Sequence, residues 1–476
     1  MASTGDALEE FFANCSIHGL KHIAKKSGNH WTERLFWALC CALSGWGSVL
    51  LVLSSYETLR TNPLSSVVST SYLDWSINFP SVSVCEVENN NKSKILAREY
   101  FGEFYDLNKM GAMHDIAFFR DATPYLKKTC QKKKSVFNCS GIDVQSTARA
   151  IRSSCEETFD HCRWNGEEFN CCDHFLHLET ELGVCYSINN LQTKNRSDPE
   201  TFIDLKSNRS TGPGILRLDL KTTAKVYIHS RTDVPNLNTE QTDVIALESK
   251  PKSQDEVFLV VHDTENEEGV RHVGAERRKC NFPWEGRPEY YPQYSYSACI
   301  VECRRRTEMA LCNCTRHLLP PAGKTGKACD INNIFCIKDN EYWLLTLGPP
   351  WTTNSNALKC PCRSGCEDIQ IDAIQSRSHE NPNARDSTKS SVEMNLLYLP
   401  SEKYKRTVVR SRLDLVVSMG SAFALFFGAS LLSFVEIVYY CTLRLRRRQP
   451  NQKKSLPTPE GRKHQRIITS VVQNSF

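Results

Sequence analysis

The chain has 476 residues, 22 of them cysteine, with 59 basic against 54 acidic side chains and a formal net charge of +5. So much cysteine is foreign to an ordinary enzyme of a reducing compartment, and the length is foreign to a disulfide mini-protein. Charged residues at 24% exclude wholesale disorder, a mean hydropathy of −0.42 excludes a polytopic bundle, and the even charge balance points to no nucleic-acid partner.

Residues 1–34 hold four basic and four acidic groups and read as a cytosolic N-terminus. From Leu35 to Tyr56 there are then 22 residues without a charge. At 1.5 Å per residue they cover about 33 Å, enough for a hydrocarbon core of about 30 Å. The run is too long and starts too late for a cleavable signal, so residues 35–56 read as a signal-anchor and first transmembrane helix. A second uncharged run, Leu415 to Val435, is flanked by Asp414 and Glu436 and places a second transmembrane helix in residues 414–443. The tail 444–476 carries nine Lys or Arg against Glu460 alone. By the positive-inside rule both termini are cytosolic and residues 57–413 are extracellular. Lys403, Lys405, Arg406, Arg410 and Arg412 crowd the opposite edge of the second span, but a long loop is translocated largely regardless of charge. The tail reads first as a stop-transfer cluster, and also as a segment able to lie against anionic membrane lipid.

Eighteen cysteines fall between the spans, an even number that allows nine disulfides, while Cys15, Cys40, Cys41 and Cys441 lie outside. Five N-x-S/T sequons, at Asn91, Asn138, Asn195, Asn208 and Asn313, fit the same oxidising, glycosylating compartment. Zinc is the rival reading of so many thiols, but its C-x-x-C knuckle occurs nowhere in the chain, so no structural metal and no cofactor is expected. Spacing gives some of the pairing. Cys299 and Cys303 are four apart, on one face of a helix and about 6 Å apart along it. Cys360 and Cys362 are two apart, on one face of an extended segment and about 6.6 Å apart. An antiparallel ladder therefore pairs Cys299 with Cys362 and Cys303 with Cys360, with Cys280 and Cys366 closing the outer rung. Cys312 and Cys314 pair with Cys329 and Cys336 in a smaller ladder. Such a stapled rod can transmit force without bending.

Elsewhere Phe79–Cys85, Ile215–Leu220, Ala224–Ile228 and Val257–Val261 alternate as strands, and Lys92–Phe104 and Ala298–Leu311 read as helices. Pro- and Asn-rich stretches near 348–356 and 379–386 read as loops. The fold class is a membrane α+β protein: two transmembrane helices and one large disulfide-rich extracellular domain. In the second span Gly420, Ala424 and Gly428 recur every four residues, a small-residue stripe whose simplest use is packing against the first span. Gly428, Ala429 and Ser430 then set three small residues together at membrane depth. Glycine allows a break there, and freed carbonyls are tolerated only where they line water. Glu436, at the inner end, is either interfacial or faces a cation path.

These motifs, in this order, resemble the degenerin/epithelial sodium channel/acid-sensing channel family, and within it an insect pickpocket-type subunit. His18-Gly19 resembles its cytosolic gating dipeptide, Phe79–Cys85 its post-span strand, and Gly183-Val-Cys-Tyr-Ser-Ile-Asn189 its Gly-x-Cys-Tyr-x-Phe-Asn motif. Tyr294 through Cys366 resembles its disulfide-laddered thumb, and Gly428-Ala429-Ser430 its Gly-x-Ser selectivity filter. The resemblance implies a homo- or heterotrimeric, amiloride-blocked sodium channel, not voltage-gated, opened by an extracellular ligand or other stimulus. Each subunit would have an ectodomain of palm, knuckle, finger, thumb and β-ball. It adds the bridge Cys85–Cys185 and pairs Cys162 with Cys171 or Cys172. Two further bridges, of open connectivity, then fall to the other of that couple with Cys130, Cys139 and Cys155. It places His18-Gly19 beneath the filter. The family usually has Asp or Asn ten residues before the filter glycine and a small residue just before that. Here these gating positions are Ser418 and Val417, so the outer cation site differs.

Two other classes share the layout: ATP-gated trimeric cation channels, which lack Gly-Ala-Ser, and non-conducting two-pass receptors, for which a plain Leu/Val anchor would serve. The chain has no nucleophile elbow, metal-binding His pair or phosphate loop, so no enzyme activity is expected.

Overall fold

The computed structural model describes residues 11–24, 28, 30–61, 63–69, 76–102, 105–119, 123–130, 139–193, 203, 205–239, 244–319, 326–349, 357–380, 389–397, 402–409, 412–440 and 442. Asn138, Asn195, Cys441, the tail 444–476 and loop positions 350–356 and 381–386 lie outside these residues. The chain divides into two compact units, residues 61–409 and residues 1–60 with 410–476.

Residues 61–409 are built on two main sheets, with two short two-stranded ones beside them. In the larger, strand Ser253–Asn266 pairs antiparallel with Gln370–Glu380 and parallel with Ser390–Leu396 and Lys403–Val408. Strands Leu64–Ser69, Ile215–Leu220, Phe159–Trp164 and Glu167–Phe169 complete it. The smaller sheet orders Ile245–Ser249, Ala224–His229, Ser81–Glu86, Gly183–Ile188 and Leu176–Thr180. Alternation explains Ile215–Leu220, where Leu216, Leu218 and Leu220 are fully buried and the intervening residues half-buried. In Ser81–Glu86 both faces are buried. Val82 and Val84 enter the main core, while Ser83 is satisfied by Ser187 at 2.8 Å and by the His229 ring at 2.8 Å. Alternation here marks two different buried faces rather than one wet face.

Local chemistry sets the element ends. The second predicted helix spans Asn90–Phe101: the Asn89 side chain caps the Lys92 amide, and Gly102, at φ +52°, ends the helix before position 104. Helix Tyr296–Cys312 begins two residues before the expected Ala298, because the Ser295 hydroxyl caps the Ala298 amide, and it stops at left-handed Asn313. His379 and Glu380, expected in a loop, extend strand Gln370–Glu380, since their backbone pairs with Gln254 and Ser253.

Nine disulfides cross this unit. The long ladder closes as Cys299–Cys362 and Cys303–Cys360, with Cα separations of 5.8 and 5.9 Å, above Cys280–Cys366. The short one closes as Cys312–Cys336 and Cys314–Cys329. Cys85 pairs with Cys185 across neighbouring strands, and Cys162 with Cys171, Cys155 with Cys172 and Cys130 with Cys139. Buried cations staple what cysteines do not. Arg304 bonds Glu181, Asn238 and the Leu344 carbonyl, and Arg316 pairs with Glu308 at 3.0 Å. The Arg152 guanidinium gathers the carbonyls of Ala117, Leu182 and Glu86. It lies where a side chain on Gly183 would stand, and Gly183 has φ +99°. The first residue of the Gly-x-Cys-Tyr motif is therefore glycine for two reasons, backbone and space.

Both cysteines of Cys85–Cys185 and of Cys162–Cys171 are buried, so replacing either pair by alanine leaves comparable cavities. The closed loops differ, spanning 100 against 9 residues. Loss of Cys85–Cys185 should cost about 2 kcal/mol more, read as a lower unfolding temperature, and equal losses would contradict the loop-entropy account.

A second prediction concerns pH. Burial holds the His317 ring down at about 4, its Nε2–H donating to the Ile116 carbonyl at 2.7 Å. The folded form therefore binds fewer protons than the unfolded one. Its stabilisation is complete above about pH 6.5 and is lost as pH falls toward 4. Neighbouring Asp115, pushed up to about 6 by burial, opposes this by gaining stability over the same descent. His317→Gln removes only the first effect. Between pH 6.5 and pH 4 the variant should lose less stability than the parent in denaturant titrations.

Candidate functional site: the helix break and its N-terminal strap

Among the described residues, the second unit has one helix long and apolar enough to cross a membrane, Trp31–Thr61, and a bent pair, Leu413–Phe427 with Leu431–Tyr439, that would be a second span if counted as one. The first helix outruns the uncharged run 35–56 at both ends, taking in Glu33, Arg34, Glu57 and Arg60. The pair turns by 80° at residues 428–430. Gly428 holds φ +60°, which L side chains rarely adopt, and its amide still bonds the Ala424 carbonyl at 2.9 Å. Ser430 then caps the second helix in a reciprocal box with Ser433. The three small residues thus supply the φ, the compactness and the cap that the break needs.

A break in an apolar helix leaves carbonyls that must be met. The chain's own N-terminus meets one. Both the backbone amide of His18, at 3.0 Å, and its Nδ1, at 3.1 Å, reach the Phe427 carbonyl. The ring occupies the space a side chain at Gly428 would need. Two further contacts hold this strap: the Ser16 and Ser433 hydroxyls at 2.7 Å, and the Ser16 amide donating to Glu436 at 3.0 Å. Gly19, at φ +87°, lies against Cys41, whose sulfur stands 2.6 Å from where its Cβ would be. His18 and Gly19 therefore do different work, one bonding the break and the other passing close to the first helix.

The small-residue stripe does not pack on the first helix. Gly420 faces open space, and Ala424 and Gly428 are exposed within this chain. The contact runs the other way: Gly45 and Gly47 of the first helix receive the rings of Phe427 and Phe426. Large side chains on one helix and glycines on the other bring the two together, while Gly420 and Ala424 stay exposed and Gly428 meets His18. Val417 is likewise exposed, and its carbonyl accepts the Ser421 hydroxyl at 2.8 Å. Ser418 is half-buried and Glu436 is the acid nearest the strap. Sequence reading missed Ser16, Ser433, Gly45 and Gly47. A Ser-x-x-Ser spacing at 430–433 and the Gly-x-Gly at 45–47 were the available signals.

In the other unit, Asn91 and Asn313 are exposed. The Asn208 side-chain Oδ1 closes a turn by accepting the amides of Ser210 and Thr211 at 2.8 Å. Among the described residues no group of three His, Cys, Asp or Glu could hold a metal, and Cys15, Cys40 and Cys41 are free thiols.

Comparison with known proteins adds a family. The chain is 25% identical to sodium channel protein Nach of Drosophila ananassae, over 94% of this chain and 88% of that protein. It is 21% identical to pickpocket protein 19 of Drosophila melanogaster, over 90% and 89%, and 25% identical to the mouse bile acid-sensitive ion channel, over 91% and 86%. The family model described as amiloride-sensitive sodium channel matches residues 11–440, which takes in the strap, the cysteine-stapled unit and the helix break alike, and the chain belongs to that family.

Proposed function

We propose that this protein is a pore-forming subunit of a sodium channel, amiloride-sensitive and opened by an extracellular stimulus. Trp31–Thr61 and the bent pair from Arg412 to Tyr439 act as its two spans, with both termini cytosolic. The residues between them form an extracellular domain with the family's palm, knuckle, finger, thumb and β-ball. Subunits assemble as a homo- or heterotrimer with related chains. Gly428, Ala429 and Ser430 form the selectivity filter. His18 and Gly19 gate from beneath, and Val417 and Ser418 line the outer mouth.

One observation carries this reading: an apolar helix broken at three small residues, its stripe of glycine and alanine free of the chain's other apolar helix. A packing stripe would be covered by its partner helix. An uncovered one fits a helix that meets copies of itself around a water-filled axis. Backbone carbonyls at the break are then useful, since such rings can replace a sodium ion's water. Glu436, tied to the Ser16 amide at 3.0 Å, puts a carboxylate at the inner end of that path.

The test is electrical. Expressed alone or with a related subunit, the chain should carry an inward sodium current that amiloride blocks. Gly428→Ala places a methyl against His18 at a strained φ and should reduce the current at least about tenfold, or abolish sodium preference. Ser430→Leu removes the cap and the small ring and should do the same. Unaltered sodium-over-potassium reversal potentials in both variants would overturn the filter assignment.

A further inference from the structure

The cysteine-stapled unit holds a cavity of about 510 Å³ where three segments meet. They are the chain following strand Ala224–His229, the first turn of helix Tyr296–Cys312, and the start of strand Gln370–Glu380. Its size lies within the range of ligand pockets, roughly 300–1,000 Å³. Much of its wall is apolar, from Val234, Val244, Ile300 and Leu347. Two carboxyl groups, Asp233 and Asp368, also line it, and among the described residues no Lys or Arg does.

The charge of these two acids is held but not balanced. Asp233 accepts the Ser297 hydroxyl at 2.6 Å, and Asp368 accepts the Gly365 amide at 2.7 Å. Both donors are neutral, so they orient the carboxylates without cancelling them. His229, the one imidazole among the described wall residues, does not help. Burial holds it at about 4, and its two nitrogens are taken by the Ser83 hydroxyl and the Ser230 carbonyl, both at 2.8 Å. Arg406 attracts Asp368 from outside the cavity, where its guanidinium bonds the Cys366 carbonyl at 3.3 Å. Burial and then the charge of Asp233 push Asp368 up to about 7. Two carboxylates in one enclosure with no cation among its described wall residues are costly, and the cost disappears when a cation enters.

We propose that this cavity is a binding site for a small organic cation, a protonated amine with an apolar body. The ammonium lies between Asp233 and Asp368, its body against Ile300, Leu347 and Val234, with the Tyr296 ring at hand for a cation–π contact. A bare metal ion fits poorly. Calcium asks for six to eight oxygens, and this wall is mainly hydrocarbon and amide. The inference stands apart from the pore reading, because binding is measured without current.

The experiment uses the full chain in detergent, titrated calorimetrically near pH 8 with three probes of one shape: phenethylamine, phenethyl alcohol and phenylacetate. The amine should bind at least about tenfold more tightly than the alcohol or the acid. Asp233→Asn and Asp368→Asn should each weaken the amine about tenfold and leave the alcohol unchanged. Val244→Trp, which fills the apolar end, should remove binding of the amine, with melting curves reporting that each variant is folded. Equal binding of amine and alcohol, full amine affinity in both Asn variants, or no heat from any probe on the folded parent would overturn the proposal.

Discussion

A polypeptide crossing hydrocarbon cannot leave its backbone groups unpaired, and this constraint organises the apolar unit of the chain. The helix Arg412–Phe427 stops in the middle of an apolar run, where a simple anchor would continue. Stopping costs hydrogen bonds, and the chain recovers them locally and from a distance. Ser430 and Ser433 cap the new start. His18, more than four hundred residues earlier, bonds the Phe427 carbonyl twice. The expense is understandable if the break has a use, and the proposed selectivity filter would be one.

The other unit answers a different constraint, namely holding many polar groups inside a protein. Arg304 and Arg316 are fully buried, and each has its carboxylate partner, Glu181 and Glu308. A buried ion pair adds little net stability, but losing one partner is expensive, so such pairs favour one arrangement over its alternatives. Nine disulfides act in the same direction by limiting the unfolded chain. The Asp233 and Asp368 pair stands out against this background. Buried Asp115 too is held by neutral donors, the amides of Tyr125 and Leu126, but in this cavity two carboxyl groups share one wall with no Lys or Arg among its described residues.

What could be read from residues alone follows from range. The ladder Cys299–Cys362 and Cys303–Cys360 was legible because helix and strand repeat lengths match over four and two residues. The break was legible because Gly428, Ala429 and Ser430 are adjacent in the chain. The bonds from Ser16 to Ser433 and Glu436 were not, since no local period connects positions 417 and 420 residues apart. The neighbour of the stripe was not legible for a related reason. Spacing shows that Gly420, Ala424 and Gly428 share a face, but which neighbour covers it is a tertiary fact. The vicinal Cys171–Cys172 couple left two pairings open, and only the fold chose Cys171 for Cys162.

The central claim is that the break at residues 428–430 lies on the ion path. Ser430→Cys, expressed with its companion subunits and exposed to a small charged methanethiosulfonate reagent during recording, tests it most directly. On this account the thiol lines the conducting route, so modification should abolish most of the sodium current and permeant sodium should slow the reaction. A cysteine that is fully modified while the current and its sodium preference stay unchanged would contradict it.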